Sequence, residues 1–122
     1  MTNSLRIVAF ALGGIFLLNG AGWVFRPGNA AEGLGMTLPD GMARSTMIGD
    51  VGAFFLGAAT LILLGAATRR AHWLRAAALL FGYAAVLRTL AWAVHGAAFA
   101  GAFVGIEVAV TGLLLFLASR AD

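Results

Sequence analysis

Arg88 and Glu107 are the two residues of this chain best placed to do chemistry. Arg88 sits in Leu87-Arg88-Thr89-Leu90-Ala91-Trp92-Ala93-Val94-His95-Gly96, and Glu107 in Ile106-Glu107-Val108 just beyond Ala97-Ala98-Phe99. The stretch reads as two apolar helices joined by a short Gly/Ala turn, each with one strong charge inside its run. The midpoint between the charges falls at the turn, so they lie equally deep on opposite arms. A cation and an anion so placed neutralise each other. Asn19 and Asp50 interrupt two other apolar runs, and Trp92 and His95 follow Arg88 along its helix. Together these groups offer polar recognition of an amphiphile's head, or acid/base work by Glu107 or Asp50 on a lipid or quinone.

Other chemistries drop out. There is no Cys, which removes disulfides, thiolate metal sites, iron–sulfur clusters and thiol nucleophiles. There is no Lys, hence no Schiff-base lysine. His72 and His95 belong to opposite membrane faces and cannot share a haem or metal, and no carboxylate–His ligand spacing is present. No GxSxG, Walker loop or HExxH pattern occurs. No cofactor and no metal are expected.

The elements that must position the four polar groups follow from composition. The chain has 122 residues, 61% hydrophobic and 11% charged, against about 25% charged in soluble domains. A water-soluble fold of this size has too little interior for so much apolar surface, so lipid must be its solvent. The formal charge of +3 comes from eight Arg at segment ends. That is how membrane proteins set orientation, and it argues against a nucleic-acid surface. The Ala/Gly/Arg-rich usage suits a bacterium with GC-rich DNA.

Four spans are expected, at about 5–25, 44–67, 73–95 and 98–119, within one membrane domain. A signal peptide competes for the first, since Asn19-Gly20-Ala21 supplies small residues near a cleavage point. The run is too long for a signal core and its basic region is only Arg6, so a spanning helix is expected. Arg26-Pro27-Gly28-Asn29 stops that helix. Ala30 to Met36, closed by Leu38-Pro39-Asp40-Gly41, is expected as a one- or two-turn helix at the membrane surface or a plain loop. Arg6, Arg69, Arg70, Arg75 and Arg120 lie on one side and Arg26 and Arg44 on the other, which places both termini in the cytoplasm. The fold class is therefore all-α, an integral-membrane antiparallel four-helix bundle with a short interfacial helix in the first loop.

Counting at 1.5 Å per residue from the outer ends, Asn19 and Asp50 lie roughly 9 Å in and Arg88 and Glu107 roughly 12–14 Å in. Each span contributes one polar group to the outer half of the bilayer. A charge at a helix centre costs about 2.5–3.5 kcal/mol on insertion scales, so these groups should face one another rather than lipid. The expected inward stripes are Leu12, Ile15, Asn19 and Trp23; Asp50, Phe54 and Gly57; Phe81, Ala84, Arg88, Trp92 and His95; and Phe103, Glu107, Val110 and Leu114. Such an ion pair can simply lock helix register. Its off-centre position beneath an outer loop, with two Trp and a His near the mouth, suits a ligand pocket as well. His95 is read either as a helix cap at the interface or as a ligand contact.

Two small-residue seams stand apart from these stripes: Gly49, Ala53 and Gly57, and Gly101, Gly105 and Ala109. The second lies nearly opposite Glu107, so it faces outward when Glu107 faces inward.

With Arg44 to Gly52, Leu87-Arg88-Thr89, His95-Gly96 and Ile106-Glu107-Val108 in view, the chain resembles a bacterial family of small four-helix membrane proteins, domain of unknown function 4345. That family's pattern has an Arg before a Gly-rich second helix, an Arg in a third helix ending in an acidic residue plus Gly, and a Glu in the fourth. The likeness covers most of the chain from Leu12 on, with His95 standing where the pattern has the acidic residue. The chain also looks broadly similar to DoxX-like four-helix proteins. The resemblance implies the four-helix membrane fold and no established activity.

Three functions remain open on these grounds. The first is a membrane protein binding a lipid or small amphipathic ligand through Asn19, Asp50, Arg88, Trp92, His95 and Glu107. The second is an accessory subunit, or a homo-oligomer, joined through the seams. The third is a small enzyme acting on a lipid or quinone. A transporter is disfavoured, because four spans without an inverted repeat make a poor alternating-access machine unless they oligomerise.

Overall fold

The computed structural model describes all 122 residues, Met1–Asp122, as five helices and no strand. They are α1 (Asn3–Phe25), α2 (Pro27–Gly33), α3 (Gly41–Thr68), α4 (Ala71–His95) and α5 (Gly101–Ser119). All but α2 are long and apolar enough to cross a membrane. Helices are the outcome the solvent demands, since in lipid each backbone N–H and C=O must be satisfied within its own segment. Side chains follow the same rule: Thr60, Thr68, Thr89 and Thr111 each donate a hydroxyl to the carbonyl four residues back, at 2.6–2.9 Å.

Helix boundaries have local causes. Thr2 caps α1 by accepting from Leu5 N–H at 3.2 Å. Pro27 ends α1 and at once opens α2 at its first position, where its missing N–H costs nothing. The short helix is thus Pro27–Gly33, earlier than the stretch from Ala30 to Met36, and Leu34 to Asp40 is loop. Arg44 donates to the Pro39 carbonyl (2.7 Å) and to Asp40 Oδ1 (3.0 Å), pinning the start of α3 three residues ahead of the expected Arg44. Gly96 (φ +71°) closes α4 in the left-handed conformation, and Ala97 N–H bonds Ala91 C=O at 3.1 Å. Trp92 packs on Phe99 at 5.0 Å between ring centroids, and α5 starts only at Gly101, not at Ala98.

Antiparallel packing runs in the order α1–α3–α4–α5, with α1 longest against α3 and α5 longest against α4. The fourth side is barely closed, because α1 meets α5 only briefly. Most of the core lies toward the end that carries the termini: Ala9, Phe16, Ala58, Ala59, Ile62, Ala66, Leu74, Ala77, Phe81, Leu114 and Leu117 are all buried there. Between Val86 and Phe99, by contrast, α4 and its loop bury no residue.

On α1 the buried stripe is Ala9, Gly13, Phe16, Gly20 and Trp23, not the expected Leu12, Ile15, Asn19 and Trp23. Ile15 is exposed, and Leu12 is only half-buried. The reason is steric. Leu63 of α3 fills the space beside Gly13, Leu56 fills that beside Gly20, and Trp23 lies against Gly52. The face that meets α3 alternates Gly13 and Gly20, which admit leucines of α3, with Phe16 and Trp23, which fill space beside Phe55 and Gly52.

Polar contacts lock the terminal end. Arg6 Nε donates to Ala66 C=O at 2.9 Å and its Nη2 to Ala67 C=O at 3.3 Å, satisfying carbonyls at the C-terminus of α3. Arg69 donates to Asn3 Oδ1, Asp122 Oδ1 accepts from Ala71 N–H at the start of α4, and the Met1 amine donates to Ala121 C=O. We predict that Arg6→Ala lowers unfolding stability by about 1 kcal/mol and that Arg6→Lys restores only part of it, for want of a second donor. Thermal unfolding in one detergent measures both; equal stability of all three proteins would refute it.

Candidate functional site

The loop end of the bundle, where the core runs out, encloses a half-open cavity of about 660 Å³ to which all four spans contribute. Phe16 and Asn19 come from α1; Asp50, Val51, Phe54 and Phe55 from α3; Phe81, Ala84, Leu87 and Arg88 from α4; and Phe103, Ile106 and Glu107 from α5. Gly33, Leu34 and Met36 roof it from the end of α2 and its loop. That roof is held by Gly35 (φ +75°), whose N–H bonds Glu32 C=O, and by Met36 N–H bonding back to Ala31 C=O at 2.9 Å.

Arg88 and Glu107 pair across the α4–α5 hairpin, Nε to Oε1 at 2.8 Å. Arg88 is seven residues before the end of α4 and Glu107 six after the start of α5, so each lies about two turns from the connecting loop. Glu107 is buried, at 11% side-chain exposure, while Arg88 keeps 33%. Although this is a close ion pair, Oε1 accepts no well-aligned hydrogen bond and is shut off from solvent. Attraction without alignment leaves this sealed oxygen without a hydrogen bond of good geometry. The Arg88 guanidinium also lies over the Phe103 ring, 4.8 Å from its centroid.

The other two polar groups differ. Asn19 donates Nδ2 to Ile15 C=O, 3.1 Å away on its own helix. Asp50 takes part in neither of the two ion pairs, Arg44–Asp40 and Arg88–Glu107, and no side-chain hydrogen bond reaches it. The cavity floor is aromatic. Phe16, Phe54, Phe55 and Phe81 form a ring cluster with centroids 4.7 to 6.1 Å apart, three of the contacts tilted or edge-on.

Asn19, Asp50, Arg88 and Glu107 thus share one cavity, whereas Trp92 and His95 do not line it. Trp92 is exposed against Phe99, and His95 is the exposed last residue of α4. Trp23 is not at the mouth either: it is 2% exposed, against Gly52. Stripe counting carried Trp92 and His95 past the point where α4 leaves the bundle. What it missed is Phe16, Phe55, Leu34 and Met36. The i, i+4 spacing of Asp50 and Phe54 held the one available hint, as it puts the carboxylate one turn above a ring. No group of three acidic or His side chains stands together as a metal site.

The seams pack nothing within the chain. A Cβ added at Gly49, Gly57 or Gly105 would meet open space, one at Gly101 would meet only the chain's own Phe99, and Ala53 and Ala109 are exposed. A shallower groove of about 490 Å³ runs along α4 and α5 past Arg75, Tyr83 and Thr111, without a charge pair. Comparison with family models, with curated proteins and with solved structures returned no match.

Proposed function

We propose that this chain is a small bacterial inner-membrane protein, termini in the cytoplasm, whose pocket binds a lipid or small amphipathic ligand within the outer half of the bilayer. The observation that carries the reading is the cavity itself. A bundle built only for stability would close its loop end over apolar side chains. Here Asn19, Asp50, Arg88 and Glu107 surround about 660 Å³ of space above a ring of Phe. Polar groups over an apolar floor match the two halves of an amphiphile. The orientation is supported by Arg6, Arg69, Arg70, Arg75 and Arg120 at one end against Arg26 and Arg44 at the other. The resemblance to domain of unknown function 4345 agrees with the architecture and supplies no ligand.

Native mass spectrometry of protein extracted gently from its own membrane tests this. The expected result is a defined small molecule bound to the wild type and lost from Ala84→Trp, which fills the cavity and keeps every charge. A second protein in fixed stoichiometry, with no small molecule, would replace the ligand reading with that of an accessory subunit.

The outward Gly101, Gly105 and Ala109 seam favours that second reading. Gly105→Leu is expected not to destabilise the isolated chain, since a Cβ added there meets nothing within 4 Å and Leu is the better helix former. It should shrink any native complex seen on gel filtration. A complex of unaltered size would remove the seam as an interface.

A further inference from the structure

We infer that the ligand of this pocket is a hydrophobic cation, an amphiphile with a positively charged ammonium-type head. The inference rests on the pocket reading above and deepens it by naming the ligand's charge.

Charge is the first argument. Arg88 and Glu107 cancel each other at 2.8 Å. Asp50 lines the same cavity and takes no part in that pair, so the lining carries one uncompensated negative charge. Asp50 is exposed on α3, yet it stands within the span, where less water surrounds a carboxylate than in bulk and its attraction for a counter-charge is stronger. An anionic ligand would have to displace Glu107 from Arg88 and then sit beside Asp50. A neutral ligand would leave Asp50 unpaired. A cation completes the set.

Position is the second argument. Asp50 and Phe54 are one turn apart on α3, and Phe54 packs edge-on to Phe55 and Phe81 at 5.2 Å. A carboxylate above aromatic faces is the arrangement that holds organic cations, the rings attracting the charge through their quadrupoles. Arg88 already occupies Phe103, which leaves the floor rings for the ligand. Nothing on the lining competes, because its only cation is paired.

Two probes of one shape and opposite charge decide the matter: tetraphenylphosphonium and tetraphenylborate, titrated against the full chain in nanodiscs of zwitterionic lipid. Tetraphenylphosphonium is expected to bind saturably and tetraphenylborate not. Asp50→Asn should weaken the cation at least 10-fold and Asp50→Glu should retain it, with helical circular dichroism and particle size unchanged. Should Asp50→Asn fail to fold, the charge preference of the wild type still decides. Saturable borate binding lost in Ala84→Trp would overturn the cation and leave the pocket standing. Phosphonium binding indifferent to a folded Asp50→Asn, or no saturable binding of either probe, also overturns it. The molecule carried in native mass spectra judges the pocket separately.

Discussion

Arg88→Ala is expected to destabilise the bundle by about 3 kcal/mol, the low end for breaking a buried ion pair. The cost arises mainly from what is left behind. Glu107 is almost wholly buried, and once Arg88 is gone its carboxylate has no counter-charge inside a low-dielectric space. The low end applies because a third of the Arg88 side chain is open to the cavity, through which solvent can reach the site. Packing goes too, since the guanidinium covers Phe103. Reversible unfolding in mild detergent measures the loss. Arg88→Met combined with Glu107→Leu should recover most of it, because removing both charges removes the orphan. The double variant also separates two roles. A stable but ligand-free double variant assigns the pair to binding as well as to folding. An Arg88→Ala protein as stable as the wild type would rule out the structural role.

Gly20→Ala is the second large effect, about 1–3 kcal/mol of destabilisation from a single methyl group. A Cβ at Gly20 would collide with Cδ2 and Cγ of Leu56 and come within 3.2 Å of the Leu56 backbone nitrogen. Leu56 can move its Cγ only by changing χ1 within the packed seam, and its backbone nitrogen can yield only if α1 and α3 shift by a few tenths of an ångström along their longest contact. In an exposed helix the same change stabilises by up to about 1 kcal/mol, which makes the expected sign diagnostic. Gly105→Ala, with open space around it, is the matched control. Combining Gly20→Ala with Leu56→Ala should cost less than the two single changes summed, as the second makes room for the first. Strict additivity would show that the two residues do not meet.

These two sites differ in how far the amino-acid sequence discloses them. Four spans are legible because hydropathy over about 20 residues answers to bilayer thickness alone. The approach of Arg88 to Glu107 is legible because both lie the same distance from one short loop, and a hairpin fixes depth without reference to rotation. The stripe on α1 is a matter of rotation, and there the usual guide fails. In water a helix buries its apolar face, but in lipid every face is apolar, so large residues such as Ile15 can point outward at no cost. Gly13 and Gly20 carry the true signal, close approach, and they look no different in sequence from Gly49 or Gly105, which touch nothing. The same blindness to rotation hides the Phe floor and leaves Trp92 and His95 outside the pocket.

The contrast between the two ends of the bundle has a mechanical consequence. The Met1–Ala121 contact and the two-residue turn between α3 and α4 tie the α1–α3 pair to the α4–α5 pair at the end that carries the termini, while α1 meets α5 only briefly. Such an object behaves like tongs, with its fulcrum in the Ala-rich core and its jaws around the cavity. A force applied at the jaws acts on a long lever arm, and the same force at the clamp acts on almost none. Lateral pressure in the leaflet around the jaws would therefore act on their gape with more leverage than pressure in the leaflet around the handle.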